Sequence, residues 1–197
     1  MTFTYRPAEK KDSMRLAELI NIASDGVVAY LFHDLIPGMT PVQVVAHNLE
    51  NDNYPHSYKS AIVAEDENNL VGMVLSYPSS YHKITNEMRA FFPAERLERF
   101  EDFYSSRVEN SLFLDALGVD ASHRRQGIGT RLVELTKEMA QKSGYELISL
   151  IVFADNAAAL ALYRSLGFES VKEIKLEGNE FILHQGGCML LRCRATT

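Results

Sequence analysis

Apolar positions along the chain recur with two different periods, and the changes from one to the other set out a series of strands and helices. "TFTYRPA" alternates at period two, as a half-buried strand does. Leu16, Leu19, Ile20 and Ala23 then recur at helical spacing, with Asp12 ahead of them as the cap. Residues 24–39 hold neither period and read as a loop or short helical turn. Thr40-Pro41 supplies an N-cap and a first-turn proline for a helix through Val42, Val45 and Leu49. In "SAIVAEDENNLVGMVLSYP" two apolar runs flank Glu67, Asn68 and Asn69, which predicts a β-hairpin.

From 79 to 111 the pattern is less regular, but Leu97, Phe100, Tyr104 and Val108 share one face of a helix predicted over Pro93 to Val108. "LFLDALGV" is the next strand, and a helix from Gly127 to Lys142 runs through Ile128, Leu132, Leu135 and Met139. "ELISLIVFA" is apolar enough for a strand buried on both faces. A helix from Asn156 to Leu166 ends at Gly167 as its C-cap, and strands near Phe168 to Leu176 and Cys188 to Arg194 follow. The order β-α-α-β-β-(α)-β-α-β-α-β-β predicts an α/β (α+β) fold. Its mixed central sheet is flanked by helices on both faces, in a single domain over 1–197 with an inserted helical segment at about 79–111.

Composition narrows the class. At 197 residues and 46% hydrophobic content the chain can bury one good core, and no Gly/Ser-rich or Pro-rich run marks a linker. No apolar run approaches the ~20 residues that cross a bilayer. "MTFTYRPAEKKDSM" lacks the basic-then-apolar layout of a signal peptide, so a cytoplasmic protein with no membrane partner is expected. Cys188 and Cys193 would point to opposite faces of a strand, cannot bridge to each other, and have no metal-ligand spacing, so no metal is expected. A net charge of −6 argues against nucleic acid as the partner and mildly favours cationic ones.

The chemistry concentrates in "VDASHRRQGIGTRL", where a strand ends and a helix begins. His123, Arg124, Arg125 and Arg131 put positive charge at the positive end of a helix dipole, which is unfavourable unless an anion completes the site. Backbone N–H groups at a helix start have no intrahelical acceptor, and Gly127 and Gly129 let a phosphate approach them closely. A solvated turn is the plain alternative. The pattern is not a Walker A loop, since no Gly-Lys-Ser/Thr follows. It is a poor dinucleotide fingerprint, with Arg131-Leu132 where the third glycine belongs and Asp155 farther on than the about 20 residues a ribose-binding acid requires. A second motif, "VFADNAAALALYRSLGF", places Asn156 as a helix N-cap and Tyr163 two turns along the same face. Alone, such a tyrosine reads as a core residue.

Together the two motifs resemble the GNAT superfamily, the Gcn5-related N-acetyltransferases. The (Q/R)-x-x-G-x-(G/A) motif is met by Arg124, Gly127 and Gly129. The N-x-x-A-x-x-L-Y-x-x-x-G-F signature is met at Asn156, Ala159, Leu162, Tyr163, Gly167 and Phe168. The resemblance is sharpest from Leu112 to Phe168. Two departures are Ala121, where proline is frequent, and Arg125, where glycine is commonest.

The resemblance implies a GNAT domain transferring an acetyl group from acetyl-CoA to a primary amine by direct attack on the thioester. Amides of Gln126, Gly127, Ile128, Gly129 and Thr130, with Arg124 and Arg125, would hold the CoA pyrophosphate. The strand backbone from Leu117 to Val119 would align the pantetheine arm, with the Val119 N–H as oxyanion donor. Asn156 would contact the pantetheine or a water. Tyr163 would protonate the departing thiolate, a phenol and a CoA thiol having similar acidity. Asp115, on the strand face shared with Phe113, Leu117 and Val119, is the first candidate for the base, with His184 and His33 as alternatives. The loops at about 24–39 and 177–187 would line the acceptor site. The 79–111 segment, with Tyr81, His82, Phe91, Phe92, Glu95, Glu98, Glu101 and Asp102, could either cover that site or pack on the sheet. A catalytically inactive acyl-CoA-binding sensor and a nucleotide-binding protein are the competing readings. The acceptor's identity is not legible, and a homodimer through a C-terminal edge strand stays open.

Overall fold

In the computed structural model, which describes residues 2–196, the elements follow the expected order with extra helices between them. They are β1 (Thr4–Pro7), α1 (Ser13–Ala23), α2 (Val27–Phe32), α3 (Pro41–Glu50), β2 (Ala61–Asp66), β3 (Asn69–Pro78), α4 (Asn86–Phe91), α5 (Ala94–Arg99), α6 (Glu101–Ser105), β4 (Ser111–Val119), α7 (Ile128–Lys142), β5 (Leu147–Phe153), α8 (Ala157–Ser165), β6 (Glu169–Ile174) and β7 (Cys188–Arg194). The strand order is β1-β2-β3-β4-β5-β7-β6. β4 and β5 run parallel, as a crossover through α7 requires, while β1–β2, β2–β3, β5–β7 and β6–β7 are antiparallel. The fold is thus a mixed α/β sheet flanked by helices. No described helix is long and apolar enough to cross a membrane.

The chain packs as two compact units. The first holds the described residues up to Tyr77 together with Asp115–Thr136. Its β2–β3 hairpin turns through Glu67 and Asn68, both with positive φ (47° and 69°), the geometry of a two-residue turn that matches strand twist. Asn69 already belongs to β3. Thr40 caps α3 reciprocally with Gln43, whose N–H donates to Thr40 Oγ1 at 3.3 Å while the Thr40 N–H donates to Gln43 Oε1 at 2.8 Å. Leu16, Leu19, Leu49, Met73, Leu75, Ile128 and Leu132 fill its core. Helices lie close on its strands where side chains are absent. A Cβ on Gly72 would stand 2.9 Å from Ile128 Cγ2, and one on Gly118 would stand 2.6 Å from the Leu19 carbonyl oxygen.

One local expectation changes here and a second is made definite. Asp12 precedes α1, but its carboxylate does not cap that helix. It accepts the Glu9 N–H at 2.8 Å and the Arg6 guanidinium at 2.7 Å, because a buried carboxylate gains more from a charged donor than from another amide. Arg6 also bridges to Glu65 on β2 at 2.6 Å. Residues 24–39 contain a true helix, α2, entered through Gly26 at φ 100°.

The second unit holds Pro78–Leu114 and the described residues from Lys137 onward. Ser111 on β4 and Ser149 on β5 share a buried hydroxyl hydrogen bond of 2.7 Å. The single helix expected over Pro93 to Val108 is two helices, α5 and α6, parted at Phe100 (φ −99°, ψ 10°). The fully buried Phe100 keeps its place in the core, while Asp102 accepts from Lys172 Nζ at 3.1 Å and from the Lys175 N–H at 2.8 Å. Those tertiary contacts outweigh the weak preference of so short a helix. In this segment His82 is buried among Phe103, Tyr104 and Phe113, its ring centroid 4.1 Å from that of Phe113. The aromatic residues there, Phe91 and Tyr81 excepted, are thus largely spent on packing.

Candidate active site

β4 delivers the candidate residues of the first unit in order. Its ladder with β5 pairs Ser111–Leu114 with Leu147–Leu150, and β4 continues past that ladder through Asp115, Leu117 and Val119. The chain then makes one turn of 3-10 helix at Ala121–His123 and enters the arginine turn. Arg125 (φ 61°) and Gly127 (φ 84°) are both left-handed, the backbone conformation from which anion-binding nests are built. The residues 124–127 are all exposed. The first backbone bond closing α7 runs from the Arg131 N–H to the Gly127 carbonyl at 3.0 Å, so the N–H groups of Ile128, Gly129 and Thr130 precede it. The Arg124 Nε donates to the Val119 carbonyl at 3.2 Å, folding its guanidinium back over the end of β4.

The left-handed φ explains why the resemblance favours glycine at position 125. An L-residue there costs roughly 1–2 kcal/mol that glycine avoids. The turn is anchored on two sides. Arg15 of α1 bonds Asp120 and donates through Nε to the Leu70 carbonyl at 3.1 Å, and His123 Nε2 stands 3.5 Å from Asp66.

Asp115 does not stand alone. The hydroxyl of buried Tyr77, at the end of β3, donates to Asp115 Oδ1 at 2.7 Å, and His56 Nε2 lies 3.7 Å from Asp115 Oδ2. The His56 and Tyr77 rings meet edge to face at 5.4 Å. His56 sits in the loop between α3 and β2. That loop is held by Asp52, which accepts from Ser57 Oγ and pairs with Lys59. Neither partner was legible. His56 lies in the polar stretch "NDNYPHSYKS", where a lone histidine reads as solvated, and nothing in the local pattern of β3 marks Tyr77 as facing a carboxylate.

The second unit carries Asn156 and Tyr163. Asn156 caps α8 through Oδ1, which accepts the Ala159 N–H at 3.1 Å. Replacing it with alanine should cost about 1 kcal/mol, a fall in Tm of ~2–4 °C by calorimetry. An unchanged Tm would mean the cap is not supporting the helix. α8 ends in a Schellman motif: the Phe168 N–H bonds the Tyr163 carbonyl at 3.0 Å and the Gly167 N–H bonds that of Arg164 at 3.1 Å, with Gly167 at φ 86°. The Tyr163 and Phe168 rings pack edge to face at 5.4 Å across it. That one device explains why tyrosine, glycine and phenylalanine recur at fixed spacing in the second motif. Tyr163 is buried, its hydroxyl has no hydrogen-bond partner among the described residues, and burial pushes its pKa well above the ordinary phenol value. The similar acidity of a phenol and a thiol in water therefore does not carry over to this buried phenol.

The alternative bases are tied into the backbone or into a loop anchor. His33 Nδ1 bonds the Tyr30 carbonyl at 2.8 Å. His184 Nδ1 bonds Asp155 Oδ1 at 2.5 Å, and its ring stacks on Phe153 at 4.1 Å. Asp155 also accepts the Gln185 N–H at 2.8 Å, and these bonds hold its carboxyl below the usual range. Together they fix the start of the final strand.

Comparison with known proteins gives the class and then the family. The protein is an acetyltransferase, and the chain belongs to the Acetyltransferase (GNAT) family, which it matches over residues 29–168. The [ribosomal protein bS18]-alanine N-acetyltransferase of Escherichia coli (strain K12) is 33% identical over 109 residues, covering 46% of this chain and 73% of that protein. An N-acetyltransferase structure from Staphylococcus aureus Mu50 superposes with a TM-score of 0.67 at 22% identity, over 96% of this chain and 100% of that one. The PaiA N-acetyltransferase of Thermoplasma acidophilum, solved with coenzyme A, does so at 0.58 and 14% identity, over 98% and 99%.

Proposed function

We propose that the protein transfers an acetyl group from acetyl-CoA to a primary amine of a small molecule or protein. The observation that carries the reading is the arginine turn. Two left-handed residues, the helix-start N–H groups that follow them and the exposed Arg124 and Arg125 offer a polyphosphate both dipoles and charge. The donors fit a pyrophosphate better than a single carboxylate, because they extend over Arg124 to Thr130. Gly127 leaves open space beside its backbone, with nothing within 4 Å of where a Cβ would stand.

In this reading the backbone of β4 from Leu117 to Val119 lies beyond the β5 ladder and aligns the pantetheine arm by strand-like hydrogen bonds. The Val119 N–H supports the thioester oxygen as charge develops on it. Asn156 contacts the pantetheine, and Tyr163 gives its proton to the leaving sulfur. Asp115 serves the acceptor amine, which enters charged and must lose a proton before it can attack. The acidic net charge of the chain agrees with a cationic acceptor. The name of the Escherichia coli relative makes a peptide beginning with alanine a natural first acceptor to try.

The test is release of free thiol from acetyl-CoA with a panel of amines: an alanine-initiated peptide, a diamine, an amino sugar and free amino acids. Thiol release with any of them supports the reading. Binding of CoA without release across the panel favours a sensor, and thermal stabilisation by NAD but not by acetyl-CoA overturns the assignment. Arg124→Ala is expected to raise the KM for acetyl-CoA about tenfold, the loss of one charge-assisted contact, with kcat little changed. An unaltered KM would remove Arg124 from the cofactor site.

A further inference from the structure

Tyr77, Asp115 and His56 form a graded series from core to solvent. The Tyr77 side chain is 2% exposed, Asp115 23% and His56 52%. The two carboxylate oxygens are divided between them, Oδ1 taking the Tyr77 hydroxyl at 2.7 Å and Oδ2 facing His56 Nε2 at 3.7 Å. With Nε2 turned towards a carboxylate oxygen, a proton on Nε2 and the lone pair on Nδ1 is the neutral form that the pairing favours. A carboxylate held by a buried tyrosine thus faces one edge of a half-exposed imidazole and biases its orientation and tautomer.

We propose that His56 is the base that deprotonates the acceptor amine and carries its protons to solvent, with Asp115 as the residue that positions it rather than the base itself. This rests on the acetyltransferase reading above. Neutral His56 takes one proton from the acceptor ammonium on Nδ1 and passes it to water. The freed nitrogen lone pair forms the C–N bond to the thioester carbonyl carbon, the C–S bond breaks, and its electron pair stays on sulfur, which takes a proton from Tyr163. The second proton of the attacking nitrogen leaves through His56, and Tyr163 regains its own from water. Ammonium and acetyl thioester thus become amide, thiol and one proton released to solvent.

The electrostatics agree. Desolvation opposes the charged ring, but the facing Asp115 carboxylate outweighs it, and the His56 pKa lies above its ordinary value. That carboxylate from β4 and the Tyr77 phenol from β3 both face the ring. Only the neutral ring accepts a proton, so the rate should rise as pH climbs through this raised pKa.

The experiment combines an NMR titration of ring-labelled histidine in the full chain with pH profiles of kcat/KM, using the panel member that gives the fastest thiol release. The expected results are a His56 pKa above ~6.5 that falls in Asp115→Asn, an acid limb in the rate profile that moves to lower pH with it, and loss of at least tenfold in kcat/KM in His56→Gln. His47→Gln, on the exposed face of α3, is the control and should leave the profile unchanged. A His56→Gln enzyme with full activity and an unmoved acid limb overturns the proposal, as does a His56 pKa indifferent to Asp115→Asn. Failure of the underlying reading looks different: the unsubstituted protein then releases no thiol with any acceptor, although the two histidine titrations still report the pairing.

Discussion

Replacing Tyr163 with phenylalanine is expected to lower kcat about 100-fold, the usual scale of a lost general acid, while the KM for acetyl-CoA stays within about twofold. The phenylalanine ring preserves the contact with Phe168 and the Schellman motif that closes α8, so folding and cofactor binding have no reason to change. Only the hydroxyl is removed. Its pKa, raised by burial, makes Tyr163 a group that stays protonated at any working pH. A donor with so high a pKa would be a poor acid toward a thiolate in water, but a thiolate formed in apolar surroundings is desolvated too. This protein supplies the comparison: burial pushes the Cys188 thiol up to about 12 and the Cys193 thiol up to about 11. A leaving sulfur buried beside Tyr163 would rise in the same way, which would bring phenol and thiol back towards a match. The measurement is steady-state kinetics with the best acceptor of the panel. A variant that turns over within twofold of the unsubstituted enzyme would remove Tyr163 from the acid role.

Gly187→Ala should have the largest effect on stability, a loss of about 3 kcal/mol and a fall in Tm of ~10 °C by calorimetry. Gly187 has φ 72°, and a Cβ there would stand 2.3 Å from the Ile174 carbonyl oxygen, a backbone atom that cannot turn aside. Two penalties combine, the left-handed conformation of an L-residue and a steric clash at the β6–β7 junction. The position also accepts the Ala154 N–H through its carbonyl at 3.0 Å, next to the Asp155–His184 anchor. Gly127→Ala serves as the contrast. With a comparable φ of 84° and open space around the added methyl, it should cost only the conformational part, roughly 1–2 kcal/mol. Equal losses at the two glycines would mean that the contact at Ile174 relaxes freely.

Where a feature depends on residues near one another in the chain, reading the sequence found it. The two motifs are of this kind. The arginine turn is one strand end and one helix start, and the second motif is a single helix with its N-cap and its Schellman close, all within Asn156 to Phe168. The hairpin at Glu67 and Asn68 and the capping box at Thr40 are equally local. The helix expected over Pro93 to Val108 shows the opposite case. Its apolar spacing was sound as far as Leu97 and Phe100, both buried, but the break at Phe100 accompanies an Asp102 carboxylate tied to Lys172 and Lys175 on a distant stretch of chain. Helical period in α7 marked the right segment and its buried Ile128 and Leu132, but only part of the inward face. Val133, Thr136 and Ala140 are buried, whereas Leu135 and Met139 are half-buried.

The surroundings of Asp115 were invisible for the same reason. Asp115 stood out because strand alternation placed it beside the expected acetyl path, but Tyr77 and His56 reach it from another strand and from a loop, at sequence separations where no periodicity operates. What the sequence determined by itself is the order of strands and helices, the anion-binding turn and the tyrosine-bearing helix, since backbone dihedrals, caps and 3.6- or 2-residue periods are set by neighbours in the chain. What only the tertiary structure decided is the company each reactive group keeps: which carboxylate faces an imidazole, which phenol loses its water, which glycine touches a carbonyl. Those are matters of distance and desolvation, and both are fixed when remote segments pack together.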